Sequence, residues 1–356
     1  MTFARELGTR RSKRGARGGI MEQAAEFTFG PLPPLDEPAT FAAPGGSRLG
    51  PLAGLAGKWR GRGFNVIWRP RPQKEAIRGP VTIDNHFLEL NLTDEELDFS
   101  VLRGQIPNRG LLQPDIPLHG LSYLQQISDA NLSKGQHFEP GLWVLVPQTT
   151  DPEEPPTVAR MASIPHGTTI LAQGTAGTAD GPPAIPDVSI RPFPNNLNHP
   201  PAPADELRFP EPDLSEPSDR RTAGAGLHGI TQKMVSKPNS VLRASLPPVS
   251  SARRIARTTT LQVSTDGQLP GGGTLPGGGT LPDGGIANIA FLKGGGDGPN
   301  ALVTHVSATF WLETLQGDPE PRQLQYSQVV LLEFLDLLWP HVTVATLHKK
   351  LPAAQS

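Results

Sequence analysis

Seven residues, Gly57-Lys-Trp-Arg-Gly-Arg-Gly63, constrain the fold more than any other stretch of the chain. Glycine inside a strand weakens it unless the backbone must bend sharply or another segment must approach closely. Here Gly57, Trp59, Gly61 and Gly63 share one parity, whereas Lys58, Arg60 and Arg62 share the other. A strand built from them has a small or aromatic inside and a charged outside. Small residues around one bulky ring suit the closed base of a β-barrel, where strands coil tightly and Trp59 plugs the floor.

The remaining apolar runs are consistent with that reading. From Leu52 onward they are short, rich in β-branched and aromatic residues, and separated by turn residues, at about 57–69, 82–92, 97–103, 119–128, 136–146, 156–163 and 168–173. "TDEE" reads as a turn separating "HFLELNL" from "LDFSVL", and "IPHG" as one separating "TVARMAS" from "TTILAQG". A further strand is expected at 256–264. Four more follow in "GGIANIAFLKG", "ALVTHVSATFWLETLQ", "RQLQYSQVVLLEFL" and "WPHVTVATLHKKL". The sum predicts an all-β, antiparallel up-and-down barrel of about 10–12 strands, with a two-sheet sandwich as the alternative.

Forty prolines and 39 glycines in 356 residues mean that much of the chain is connection. Residues 1–50 read as a disordered leader and 51–174 as the first part of the barrel. Residues 175–250 form a Pro-rich excursion too poor in apolar residues for a core, expected with the Gly repeat to be a long disordered insertion, and 251–351 complete the barrel. Within that last part, "LPGGGTLPGGGTLPDGG" at 269–285 is a low-complexity repeat. It lacks the Lys-Ser/Thr ending of a phosphate loop.

Several functions are excluded or disfavoured on composition alone. A formal charge of −2, with the basic cluster "RRSKRGARGG" confined to the terminal tail, argues against nucleic acid as a partner. No run of about 18 apolar residues exists to span a membrane as a helix, and the N-terminus lacks the apolar region of a secretory signal. The cytoplasm is therefore the expected compartment. The absence of cysteine excludes thiolate metal sites and cysteine nucleophiles, so a metal or haem would need His, Tyr or carboxylate ligands. No Gly-x-Ser-x-Gly elbow appears, and the acids at 94–96 and near 153 read as solvated turn residues rather than a general acid/base pair.

Nine histidines are present, with no His-Glu-x-x-His among them. A zinc site assembled from distant histidines stays open. His341 follows Pro340 and shares parity with Trp339, Thr343, Ala345 and Leu347, while His348 lies on the other face. An apolar, small-residue face holding one imidazole fits either a cavity wall that ligates haem iron or an edge histidine bonded to a loop. His305 shares parity with Val303, Ser307, Thr309 and Trp311, which makes it a rival ligand or a satisfied core residue. His166, in "SIPHGTT", sits in a tight rim turn from which it could overhang a ligand. A bulge at Pro340 would exchange the faces of His341 and His348.

The Gly57–Gly63 stretch resembles the Gly-x-Trp-x-Gly-x-Gly signature of nitrobindins and related lipocalin-like haem barrels. "NRGLLQPDI", "LSYLQQISDAN", "FEPGLW" and "RMASIPHGTTILAQG" are similar to a group of bacterial proteins usually labelled haem-binding. The resemblance covers about 50–175 and 285–350. It implies a roughly ten-stranded barrel that holds haem b noncovalently near its mouth, with a histidine of the last strand, His341, on the iron. His305, His166, Trp311 and Thr343 are then expected around the cofactor. Iron open on one side would bind a diatomic gas or react with peroxide. No distal acid/base pair of an efficient peroxidase is legible, so binding is expected ahead of turnover. The rival reading is a metal-free carrier of an apolar small molecule such as a fatty acid, using the same cavity.

Overall fold

The computed structural model describes residues 48–70, 86–104, 106–151, 153–164, 167–194, 211–266, 284–289, 301–334 and 337–350. The basic tail, His166, His199 and most of the Gly repeat lie outside them. Ten antiparallel strands form the barrel: β1 (Gly57–Pro70), β2 (His86–Val101), β3 (Ile116–Asp129), β4 (Gly135–Val146), β5 (Thr157–Ile164), β6 (Thr168–Asp180), β7 (Ile255–Ser264), β8 (Leu302–Leu315), β9 (Gln323–Phe334) and β10 (Leu337–Lys349). Each pairs with the next in sequence, and β1 pairs with β10 from Trp59↔Lys349 to Ile67↔His341, which closes the sheet. "GGIANIAFLKG", expected as a full strand, contributes only Gly285–Asn288. Those four residues continue the line of β7 along β6, since Ser264 lies opposite Gln173 and Gly285 opposite Leu171. The Gly repeat is thus inserted into one stave of the barrel.

Trp59 is 1% exposed, and its Nε1–H donates to the Leu55 carbonyl at 2.7 Å. Leu55 belongs to a 3-10 helix, Gly50–Leu55, whose Leu52 joins Leu49, Leu55 and Trp59 in the inner core and closes the floor. The glycines beside Trp59 answer two different demands. A Cβ on Gly61 would lie 2.0 Å from the Thr346 carbonyl oxygen, because β10 crosses β1 too closely for any side chain. A Cβ on Gly63 would lie 2.5 Å from both the Val344 carbonyl oxygen and Glu95 Oε1 and 2.7 Å from Thr93 Oγ1, so this glycine both admits β10 and leaves space for polar groups inside the barrel. Trp59→Ala should destabilise by about 3–5 kcal/mol as a core cavity. Denaturant unfolding tests this, and a loss under about 1 kcal/mol would show that the ring is not a plug.

β2 runs unbroken through the acids expected to form a turn. Alternation explains it: Thr93, Glu95 and Leu97 point inward and are buried, while Asp94, Glu96 and Asp98 pair outside with Arg62, Arg60 and Lys58. Exposed pairs of this kind contribute about 0–1 kcal/mol each, enough to favour the register without anchoring it. The carboxylates suit the strand because their partners occupy the charged face of β1.

β6 reaches Asp180, six residues beyond the expected end of that part of the barrel at 174. Residues 181–194 and 211–250 then cover one side of the outer wall. Their Ile185, Ile190, Ile230, Val235 and Leu242 pack on Phe64, Val66, Leu88, Leu90, Val342 and Val344. Trp68 Nε1–H donates to the Ile190 carbonyl at 2.7 Å, and the Leu88 N–H, on the part of β2 that β3 does not reach, donates to the Arg220 carbonyl at 2.8 Å. Two short helices, α1 (Gln232–Ser236) and α2 (Ser240–Ala244), lie in this covering. A segment with too few apolar residues for a core of its own still has enough to be anchored on a ready-made apolar wall. No helix among the described residues is long and apolar enough to cross a membrane.

Candidate functional site

The end of the barrel opposite Trp59 is formed by the last residues of β1 and the first of β10. There His341 stands opposite Ile67 and Val330 at an inner-face register position and is half-buried. Val303, Val306 and Val330 are buried in the inner core, and Leu332 packs against it. One layer deeper Thr343, buried, faces Asn65 and Gln328. The inner alternation of β10 stops at His341. Trp339, two residues earlier, stacks on Phe334 at 4.6 Å, with Trp68 at 5.5 Å and His86 at 5.2 Å, in the outer cluster. The β9–β10 register runs through Pro340 without a shift, so the change of cluster is not a bulge. His348 is exposed on the outer face, opposite Arg60 and Gln323.

His305 and Trp311 lie elsewhere. The β8–β9 register shifts between Val303 and His305, and that extra residue reverses parity. Val303 therefore points inward, whereas His305, Ser307, Thr309 and Trp311 point outward. This corrects the shared face expected from the sequence. His305 Nδ1 lies 2.7 Å from Asp266 Oδ2, and Trp311 is buried in the outer cluster. Of the five residues expected around a cofactor, His341 and Thr343 share the inner wall, His305 and Trp311 do not, and His166 lies outside the described residues.

The interior also holds a polar network that sequence reasoning missed. Arg160, 1% exposed, donates from Nη2 to Glu139 Oε1 at 2.5 Å, from Nε to the Tyr123 hydroxyl at 2.9 Å and from Nη1 to Gln328 Oε1 at 2.6 Å. The Tyr123 hydroxyl donates to Glu139. Burial alone would raise the Glu139 carboxyl, but the Arg160 guanidinium, with hydrogen bonds to His137 and Tyr123, holds it down at about 2. A second buried carboxyl, Glu95, accepts from Thr93 Oγ1 at 2.8 Å, from the Tyr326 hydroxyl and more distantly from Gln125 Nε2. Burial raises its pKa against those bonds, with no guanidinium beside it. Two environments thus push two carboxyls apart, one kept anionic and one favouring its proton. Half-buried His137 approaches Glu139 Oε2 at 3.4 Å and, with Glu95, lines an open cavity of about 950 Å³ that also meets Asp94, Glu96 and Phe138.

Above that network runs a polar row, Asn91–Asn65–Thr343–Gln328, each residue cross-strand from the next. Asn65 is 4% exposed, and its Oδ1 has no hydrogen-bond partner among the described residues. No group of three or more His, Asp or Glu side chains among the described residues is arranged to hold a metal ion. Haem requires only an axial imidazole from the protein.

No protein-family model and no curated protein matches the sequence. Among solved structures, the chain is similar to the crystal structure of Rv2717c from M. tuberculosis, with 16% identity, coverage of 84% of this chain and 95% of that one, and a TM-score of 0.35.

Proposed function

We propose that the barrel mouth binds haem b noncovalently, with a ring nitrogen of His341 as the axial ligand. The observation that carries this reading is the imidazole's place: half-buried, at an inner-face position, bordered by Ile67 and Val330 and set above Thr343. The donor set suits the group. The aliphatic wall of Val303, Val306, Val330 and Leu332 would hold the macrocycle, and the neutral imidazole would supply the iron ligand. Bound there, haem would supply an iron able to take a diatomic gas or react with peroxide. The nitrobindin-like Gly57–Gly63 stretch supports the same reading.

The metal-free alternative, an apolar carrier, would use the same wall. A fatty-acid carboxylate seeking an anchor deeper in the barrel would find Arg160 already neutralised by Glu139. Titrating the full chain with haem should give a Soret band, and His341→Ala should weaken binding by more than about a hundredfold, because even ligand-supporting residues contribute 10–100-fold. His305→Ala should titrate like the parent. Unchanged affinity and spectrum in His341→Ala would refute the assignment, and a colourless parent that retains lipid would favour the carrier.

A further inference from the structure

We propose a second binding site, on the outside of the barrel, that takes a small amphipathic anion of the medium-chain carboxylate class. A groove of about 640 Å³ runs between the outer wall of β10, β1 and β2 and the chain that crosses it at 228–245. This volume is typical of small-molecule sites. Its apolar lining comes from both sides: Leu92 on the wall, Ala130 beyond β3, and Met234 and Val241 from α1 and α2. All four are half-buried, so the groove presents aliphatic surface that folding leaves partly wet.

Several polar side chains at its edge can donate hydrogen bonds to a ligand. Arg62, His228 and His348 converge there from β1, the crossing chain and β10. Arg62 engages Asp94 through Nε, at 3.3 Å, which leaves its terminal amino groups for a ligand. Neither the His228 nor the His348 ring hydrogen-bonds another described residue. Thr346 Oγ1 accepts from Gln325 Nε2 at 2.8 Å, so the proton of that groove-lining hydroxyl is what it can offer. A guanidinium, two imidazoles and a hydroxyl donor beside an aliphatic strip complement a carboxylate with a short hydrocarbon tail.

The backbone at His228 adds an independent indication. Its φ is 43°, a left-handed conformation unusual for a residue other than glycine, and Gly229 follows at 92°. Held strain of this kind is characteristic of ligand-contacting turns. The His228 of this turn is among the residues that line the groove. The site depends on the crossing segment and not on the barrel mouth, so it stands independently of haem.

Calorimetric titration of the full chain with octanoate and with octanamide, its uncharged counterpart, tests the proposal. Octanoate should bind about tenfold or more tightly than the amide, reflecting charge-assisted hydrogen bonds. His228→Asn/His348→Gln should lose about tenfold for octanoate with an unchanged thermal midpoint, since asparagine accepts the left-handed backbone. Met234→Asp should lose binding through the tail. In the unaltered protein, octanoate should shift the ring-proton NMR signals of His228 and His348 among the nine histidines. Absence of octanoate binding, equal affinity for octanamide, or full affinity in both variants would overturn the site, the last by moving the ligand to the barrel interior.

Discussion

Arg160→Met should destabilise the protein by about 3–5 kcal/mol at pH 7, because it removes one partner of a buried ion pair and strands the other. Glu139 is fully buried, and it owes its low pKa of about 2 to the guanidinium that outweighs its burial. Without Arg160 the carboxyl must take up a proton or remain an unpaired charge in the barrel. Tyr123 and Gln328 lose a donor at the same time. Arg160→Met/Glu139→Gln should recover a large part of the loss, since an apolar and amide pair of similar size carries no charge to desolvate. The sign of the pH dependence follows from the depressed carboxyl. Its stabilisation is present above about pH 4.5 and is lost as pH falls through about 2, a contribution of about 3 kcal/mol. The gap between parent and Arg160→Met should therefore narrow between pH 7 and pH 3. Urea melts at both values measure it. A gap under about 1 kcal/mol at pH 7 would show that water reaches the pair.

The barrel was legible in the sequence because its determinants are local. Parity in Gly57–Gly63 marks the inside, and most strand limits follow from β-branched runs between turn residues. The acids of "TDEELD" misled because composition suggested a turn, whereas the charges of Lys58, Arg60 and Arg62, about 35 positions earlier, make the same residues a strand. The inner network was hidden for a related reason. Arg160 shares parity with buried Val158 and Ala162, and Glu95 with buried Leu97, so each was visible as a polar residue at an inward position. Their partners come from four strands, and the Tyr326–Glu95 bond spans 231 positions. Only the closed sheet brings them together. Trp311 was assigned to the wrong face by one residue: the bulge after Val303 leaves no compositional trace, yet it turns every later side chain of β8 around. His341 escaped that fate because no register shift interrupts β10: its pairing with β9 is continuous through Pro340, and the run from His341 to Leu347 keeps its alternation.

Above neutral pH, Glu313→Gln should be more stable than the parent by about 3–5 kcal/mol, while at pH 4 the two should differ little. Glu313 is inaccessible to solvent on the outer side of β8, opposite Thr258 and Gln323, both buried. Gln323 Nε2 donates to its Oε2 at 2.5 Å, but its Oε1 has no hydrogen-bond partner among the described residues. Burial raises its pKa to about 8 in spite of that one bond. A carboxyl raised in the folded state favours folding while protonated. Its contribution is complete below about pH 4.5 and is lost as pH rises through about 8, at 1.36 kcal/mol per unit in between. Glutamine keeps the shape and the bond to Gln323 without a charge to expose, so its stability should be flat across the same range. This trend is opposite to that of Glu139, and the two operate in separate windows, one ending near pH 4.5 and the other beginning there. Chemical unfolding of parent and variant at pH 4, 6, 8 and 9 resolves it. Parallel curves would mean that Glu313 ionises without cost, and hence that water or a cation reaches Oε1 in solution.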